Sequence, residues 1–161
     1  MPAFLRRMPA GIVGSITRAN SGFTVEPALI DPTNPPTAYG QFVKLNGNNI
    51  RALASGDAAT VVAGVVVRPY PFQSTTNGFG AAAPPASTYG DLLKRGYFSA
   101  ALAAGTAARG AQVFVRITAG SGRAVGAIET AADAGNCVAV VGAFFTGPAD
   151  ANGITEIAYN I

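Results

Sequence analysis

The sequence contains no histidine, a single cysteine and few charged residues, which make up 12% of its 161 positions. Histidine is the commonest general base near neutral pH and the commonest protein metal ligand, so its absence excludes hydrolases built on a Ser-His or Cys-His pair. The eight acidic residues are scattered singly, without the spacing of a metal site. We therefore predict no enzymatic activity, no bound metal and no cofactor.

The cysteine, Cys137, has no partner for a disulfide within the chain, which favours a protein made and kept in a cytoplasm. We expect it to be a small buried residue of a strand. No run approaches the roughly 18 apolar residues of a transmembrane helix. Pro9, Gly11 and Gly14 interrupt the apolar stretch that a secretory signal would need. The sequence thus predicts no membrane span and no signal peptide.

Scarce charge predicts association with other subunits, because 12% is about half the usual share and charges of both signs keep dispersed proteins apart. The whole excess of positive charge lies in the first eighteen residues, at Arg6, Arg7 and Arg18. From residue 19 onward, eight Lys and Arg balance eight Asp and Glu. The formal charge of +3 therefore describes an N-terminal segment and not a basic domain.

We interpret residues 1–18 as an extended arm followed by a single β-rich domain at 19–161, because prolines and glycines interrupt the arm. Its apolar side chains are Phe4, Leu5, Met8 and Ile12. They favour docking on the sheet edge of a partner, with Arg6 and Arg7 orienting the arm against acidic groups. The alternative is a tail that only keeps the protein soluble. In either case, deletion of residues 2–14 is expected to leave the core strands intact.

Short runs rich in Val, Ile, Phe and Tyr recur between turn residues, which indicates an all-β fold with little helix. The fold class we predict is a single compact β-barrel or jelly-roll-like sandwich carrying the extended arm. The expected strands are Phe23–Ala28, Gln41–Leu45, Ile50–Ala54, Val61–Val67, Leu92–Ser99, Gln112–Thr118, Ala124–Glu129, Val138–Phe145 and Ile154–Tyr159.

Two hairpins are predicted, one with Asn46-Gly47 as its tight turn and one joining the strands on either side of Ala119–Gly122. Only Ala100–Ala108 and Glu129–Ala134 are rich enough in alanine for helix, and each could equally be a single turn or a loop. Three aspartates, Asp31, Asp57 and Asp150, occupy positions typical of turn residues.

The longest stretch without a strand pattern is residues 69–90, which carry no charge. Its aromatic residues are Tyr70, Phe72, Phe79 and Tyr89. A loop of about 20 residues within a compact domain is unusual. Either the aromatic side chains fold back over one end of the barrel, or they form an intersubunit contact, and both alternatives stay open at this point.

Two weak motifs do not change this interpretation. Gly120-Ser-Gly122 with Gly126 approaches a dinucleotide fingerprint, but its spacing is one residue too long and a strand follows where a helix is required. Lys94-Arg95 beside Tyr97 and Phe98 is a small footprint for nucleic acid. We therefore expect no specific nucleic-acid binding.

The chain resembles the tailed-phage structural cement, or head decoration, protein family in five segments: Phe4–Ile12, Val66–Pro71, Lys94–Tyr97, Gln112–Arg116 and Glu156–Ile161. The resemblance implies a small β-rich protein on the outer face of an icosahedral head, made in the bacterial host cytoplasm. It further implies a homo-oligomer, a trimer more than a dimer, that clamps neighbouring major capsid subunits from a two-fold or three-fold position.

The arm and the loop are the candidate capsid or subunit interface. Its residues are Phe4, Leu5, Arg6, Arg7, Met8, Ile12, Tyr70, Phe72, Phe79 and Tyr89. The alternative function is a virion or cell-surface β-domain that binds a glycan or a receptor, for which only the loop from Tyr70 to Tyr89 could supply exposed aromatic side chains.

Overall fold

The computed structural model describes residues 11–18, 22–69 and 83–161. The strands are β1 Thr24–Ile30, β2 Phe42–Asn46, β3 Asn49–Ala52, β4 Gly64–Val67, β5 Tyr89–Ala104, β6 Gln112–Arg116, β7 Ile128–Glu129, β8 Cys137–Phe145 and β9 Ile154–Tyr159. The described residues contain no α-helix, and their one helical element is a 3-10 turn at Ala59–Val61. The predicted all-β class is confirmed.

Strand pairing closes two barrels that share β5. In the first barrel the order β1-β3-β2-β4-β5 returns from β5 to β1. In the second barrel the order β5-β7-β6-β8-β9 returns from β9 to β5. The β1–β3 and β5–β7 pairs are parallel and the others are antiparallel. Closure leaves few strand edges open for uncontrolled pairing with other chains.

The shared strand β5 changes partners at Gly96. Its first half pairs with β1 and β4, and from Gly96 onward it pairs with β9 and then β7. Gly96 has a φ of +142°, and a Cβ at this position would lie 2.9 Å from the Cβ of Phe23. Glycine is therefore required where the strand passes from one barrel to the other.

Two apolar clusters hold the barrels together. The smaller fills the first barrel and contains Ile30, Tyr39, Val43, Ile50, Val66 and Leu92. The larger cluster fills the second barrel. It also includes Phe42, Val65, Val67 and Leu93, whose side chains lie on the outward face of the first barrel. All four residues of β4 are buried, so this strand lies between two apolar layers. The two barrels consequently pack as one folded body.

The side chain of Gln112 stabilises an irregularity in the second barrel. Opposite β8, Gln112 pairs with Phe144 whereas Phe114 pairs with Ala139, so the register shifts between them. The Gln112 Nε2 donates hydrogen bonds to the carbonyl oxygens of Val140 at 2.7 Å, Val113 at 3.0 Å and Ala143 at 3.2 Å. One side-chain amide thus replaces part of the regular backbone ladder at this bulge.

Replacement of this amide should be costly. We expect Gln112→Leu to lower the free energy of unfolding by about 1 to 3 kcal/mol, because it leaves carbonyl oxygens without a donor. Asn152→Leu, in an exposed turn, is the control and should change it by less than about 0.5 kcal/mol. Urea unfolding followed by circular dichroism measures both. Equal midpoints for the two variants would show that the amide is dispensable.

Several local expectations need correction. Ala100–Ala104 continue β5, and Glu129 ends β7, so neither alanine-rich segment is helical. The first hairpin is confirmed, but Asn46 pairs with Asn49 and the turn is Gly47-Asn48, with φ +58° at Gly47. Antiparallel pairing of β6 with β7 confirms that the chain turns back here, but the returning strand is only Ile128–Glu129 and not the predicted Ala124–Glu129.

Three predicted turn aspartates are confirmed by their hydrogen bonds. Asp31 accepts from the backbone of Thr33 and Asn34, and Asp150 from that of Asn152 and Ile154; Asp57 accepts from Ala54. In the described residues, no helix is long and apolar enough to cross a membrane.

Candidate interaction surface

Residues 14–17 lie along the edge of β5 that faces away from β9. The Gly14 N–H donates to the Ser99 carbonyl at 2.8 Å, and the Ser99 N–H donates back to the Ser15 carbonyl at 2.9 Å. The Thr17 N–H donates to the Tyr97 carbonyl at 3.0 Å. The segment therefore extends the sheet of its own chain by a short strand-like stretch.

Gly14 also fixes this segment to the first barrel. Its carbonyl accepts from the Arg68 N–H at 2.8 Å, and the Arg68 Nε donates to the Val13 carbonyl at 2.8 Å. Gly14 has a φ of +84°, and a Cβ there would collide with the Cβ of Tyr39. Since Arg68 follows the end of β4, the segment contacts both barrels at once.

An ion pair closes the segment at its other end. The Glu156 carboxylate contacts Arg18 at 2.5 Å and accepts from the hydroxyls of Thr17 at 2.6 Å and Thr146 at 2.7 Å. The Arg18 guanidinium lies 4.2 Å from the centroid of the Tyr97 ring. Residues 13–18, interpreted from the sequence as arm, are bonded to the folded body. Deletion of residues 2–14 would accordingly remove native hydrogen bonds.

A second charged cluster lies before the start of β8, and its members come from residues 116–133. Buried Arg116 contacts Glu129 at 2.5 Å and Asp133 at 2.6 Å, and Arg123 contacts Glu129 at 2.6 Å. The hydrogen bonds that Arg116 donates to Glu129, and next to Asp133, raise the pKa of Arg116. The acids are thus not all isolated, and this group ties β6 and β7 to the loop before β8.

Cys137 lies beside this cluster and is only partly buried, which corrects the expectation of a fully buried residue. Burial is the main reason that the pKa of its thiol is raised. Over residues 11–18, 22–69 and 83–161, no three His, Cys, Asp or Glu side chains are grouped so that they could hold a metal ion.

Acid should destabilise the fold through its paired carboxylates. Backbone hydrogen bonds lower the pKa of Asp31, and Arg116 lowers that of Asp133. Burial opposes ionisation of Glu156, but hydrogen bonds from Arg18, Thr17 and Thr146 lower its pKa overall. The pKa of each of these carboxyl groups is lower in the folded than in the unfolded protein. Each group therefore contributes its full stabilisation above the ordinary carboxyl pKa, and this contribution is lost as pH falls through the pKa of the folded state.

We therefore expect the urea midpoint to be constant between about pH 7 and 5 and to fall below about pH 4. Glu156→Gln should flatten part of that fall, since the substituted side chain does not titrate. A midpoint that rises between pH 5 and 3 would contradict this account. Burial raises the pKa of Asp91, so protonation of this one group favours the folded state as pH falls. Its effect is opposite to that of the three carboxylates above and is outweighed by them.

The predicted interface residues that the structure describes are exposed. Ile12 is 48% exposed and Tyr89 is 80% exposed, and Tyr89 begins β5, so the predicted loop at 69–90 ends before it. The other predicted interface residues lie outside the described residues, and they are Phe4, Leu5, Arg6, Arg7, Met8, Tyr70, Phe72 and Phe79.

Sequence reasoning did not single out Val141 and Phe144, which with Ile161 form an exposed apolar surface that we term the C-terminal patch. These side chains are 75%, 44% and 56% exposed. The Asn160 N–H donates to the Gly142 carbonyl at 2.8 Å, just beyond the β8–β9 ladder, and this bond joins the residues that adjoin Ile161 and Val141. The uninterrupted apolar strand Cys137–Phe145 was the available signal, because a barrel strand must direct part of its side chains outward.

Comparison with known proteins identifies the family. The model of the XM1 gp53 minor capsid protein family matches residues 1–159. The chain belongs to this family. A chain in the solved structure described as "The capsid of Myoviridae Phage XM1" has the same fold, with a TM-score of 0.72 and 17% identity over 98% of this chain and 95% of that chain. No curated protein matches the sequence.

Family membership makes this chain a capsid-associated structural protein of a bacteriophage, located in the virion. The predicted resemblance to a phage head protein family is confirmed at this level.

Proposed function

We propose that the chain is a decoration, or cement, protein that binds the outer surface of the phage head and clamps neighbouring major capsid subunits. The observation that carries this proposal is the fixation of residues 13–18 to both barrels directly behind exposed Ile12. A segment held in this way transmits the pull of an attached arm to the whole folded body. Membership of a capsid protein family supports an attachment to the phage head.

The arm provides the affinity in this proposal. Burial of Phe4, Leu5 and Met8 contributes roughly 1.5 to 3 kcal/mol for each side chain. Ordering the backbone costs roughly 1 to 2 kcal/mol for each residue, so backbone pairing with a partner strand must add to the apolar contacts. Arg6 and Arg7 steer association and add little to residence time.

The loop provides the second contact. Tyr70, Phe72 and Phe79 belong to a stretch without charge, and Tyr89 is exposed immediately after it. Aromatic side chains are enriched at the centres of protein interfaces. We infer that this loop and the arm contact different capsid subunits, which is what clamping requires.

The remaining assignments follow from the same proposal. The partners are the major capsid protein and further copies of this chain, with a trimer favoured over a dimer. The protein acts without a catalytic step, cofactor or specific nucleic acid, is made in the cytoplasm of the bacterial host, and occupies the outer face of the capsid. Its sequence offers no histidine for acid-base chemistry near neutral pH.

Titration of purified protein onto heads that lack it tests the proposal. We expect binding that saturates at a fixed number of copies per head, with greater resistance of the loaded heads to heat. A protein that recognises glycans or a receptor would instead bind host cell envelopes and leave the heat resistance of the heads unchanged. Unsaturable or absent binding to heads would overturn the assignment.

A further inference from the structure

Two of the exposed apolar areas on the described surface lie beside a charged side chain, whereas Phe23, Leu45 and Val61 are exposed elsewhere. One is the C-terminal patch at the end of β8 and β9. The other, the Tyr89 patch, consists of Pro27 and Leu29 on β1 and of Tyr89 and Asp91 on β5. Antiparallel pairing sets Tyr89 opposite Leu29 and Asp91 opposite Pro27. Directly opposed side chains on a sheet lie about 5 Å apart, so these four residues form one continuous surface.

Asp91 gives the Tyr89 patch a negative charge. Its side chain makes no hydrogen bond or ion pair with any residue in the described part of the chain. Burial against its neighbours raises its pKa, so the ionised form is held at a cost. A cation brought to this patch by another molecule would remove that cost.

Arg95 gives the C-terminal patch a positive charge. The residue is exposed, and its side chain makes no ion pair or hydrogen bond within the described ranges. Gly96 pairs with Tyr159, and the Asn160 Nδ2 donates to the Lys94 carbonyl at 2.9 Å. This register places Arg95 beside Asn160, the residue that precedes Ile161 of the patch.

We propose that the Tyr89 patch of one copy of this chain docks on the C-terminal patch of a second copy, with Asp91 of the first facing Arg95 of the second. Each patch has what the other lacks: one is apolar with an acid, the other apolar with a base. The balance of eight basic and eight acidic residues over 19–161 means that copies do not repel one another through net charge. The inference rests on the proposed homo-oligomer and names its contact.

Such a contact joins two different patches, so it leaves one patch of each kind free at the ends of a pair. Repetition about a rotation axis closes the contacts into a ring. A ring of this kind fits a protein that occupies a symmetric position on a capsid lattice. The contact also covers Tyr89, Val141, Phe144 and Ile161, which are four of the eight large apolar side chains exposed in the described residues.

Charge reversal tests the contact by sedimentation equilibrium of the full chain. Asp91→Arg and Arg95→Asp should each raise the dissociation constant of self-association about tenfold or more, since like charges then meet at the contact. The double reversal in one chain should restore it to near the wild-type value. An equimolar mixture of the two single variants should form pairs more readily than either variant alone, because a contact between unlike chains joins opposite charges. A three-membered ring of the mixture would still contain one contact between like charges.

The control is Asn152→Asp, which adds one negative charge in the exposed turn before β9, at the other end of that strand from Ile161. It should leave self-association unchanged. Tyr89→Ser, at a side chain that is 80% exposed, is a second probe that keeps the core intact and should weaken association. Urea unfolding of every variant checks that the fold is retained.

Failure of the double reversal to restore association would overturn the inference, and so would sensitivity to only one of the two reversals. Head binding by the same variants separates this result from the proposed function. If the variants bind heads like wild type and their self-association does not change with either charge, the proposed decoration function is retained and this contact is ruled out.

Discussion

Removal of residues 2–10 should reduce occupancy on phage heads to background while both barrels stay folded. The hydrogen bonds of residues 14–17 to β5 remain in this variant, so the folded body keeps its N-terminal segment. The variant loses Phe4, Leu5 and Met8, whose burial in a partner contributes several kcal/mol in total. Cryo-EM of heads incubated with each protein measures occupancy, and circular dichroism verifies the fold.

Arg6→Ala with Arg7→Ala is the matched control, because it removes both charges and keeps the apolar side chains. We expect it to slow association and to leave most of the occupancy. Binding of the wild-type protein should persist between about 0.05 and 0.5 M salt, although this change shortens the Debye length several-fold. A truncated protein that binds like wild type would show that the arm is only a tail, and the loop at 69–90 would become the main clamp.

Phe98→Ala should produce the largest loss of stability that we predict. Phe98 is fully buried in β5, and its ring meets that of Phe42 edge-on at 5.7 Å between centroids. Phe42 projects from the first barrel and also meets Tyr159 of the second at 5.4 Å. Removal of a buried phenyl ring costs about 3 to 5 kcal/mol. The variant should unfold at a much lower urea concentration, in one transition.

Phe144→Ala provides the matched control, with the same chemical change at a side chain that is 44% exposed. Its cost should stay below about 1 kcal/mol, as at most surface positions. Near-UV and far-UV circular dichroism during urea unfolding report packing and strands separately. Similar losses for the two variants, or two separate transitions for Phe98→Ala, would contradict a common core for both barrels.

Most strands could be predicted because their sequences are locally consistent. Runs of Val, Ile and Phe between glycine and asparagine turns fix strand type, and the predicted strand Ile154–Tyr159 has the bounds seen in the structure. The error at Ala100–Ala104 has a physical cause. Alanine favours helix in isolation, but pairing with β9 and β7 gives these residues more hydrogen-bonded and buried contacts as a continuation of β5.

The division into two barrels has no local signature in the sequence. It depends on which strands pair with each half of β5, and only Gly96 marks the change. Pairings of this range are set by the packing of the whole chain. The cluster of Arg116, Arg123, Glu129 and Asp133 was missed for a more local reason, because its members are separated in the sequence until β6 pairs with β7.

The candidate surface was predictable in part. Ile12 and Tyr89 are exposed, and the sequence had placed them in an apolar arm and in an aromatic loop without charge. The C-terminal patch was missed because a continuous apolar strand is equally compatible with burial on both faces, as in β4. Which face of β8 turns outward depends on the bulge at Gly142, where φ is +74°.

The central claim, a clamp on the outside of the head, is tested most directly by a cryo-EM difference map. Heads that lack the protein are imaged before and after saturation with it. We predict difference density on the outer face, repeated at one class of symmetry position, with each copy contacting at least two major capsid subunits. Density on the inner face, or copies that each contact a single capsid subunit, would contradict the account.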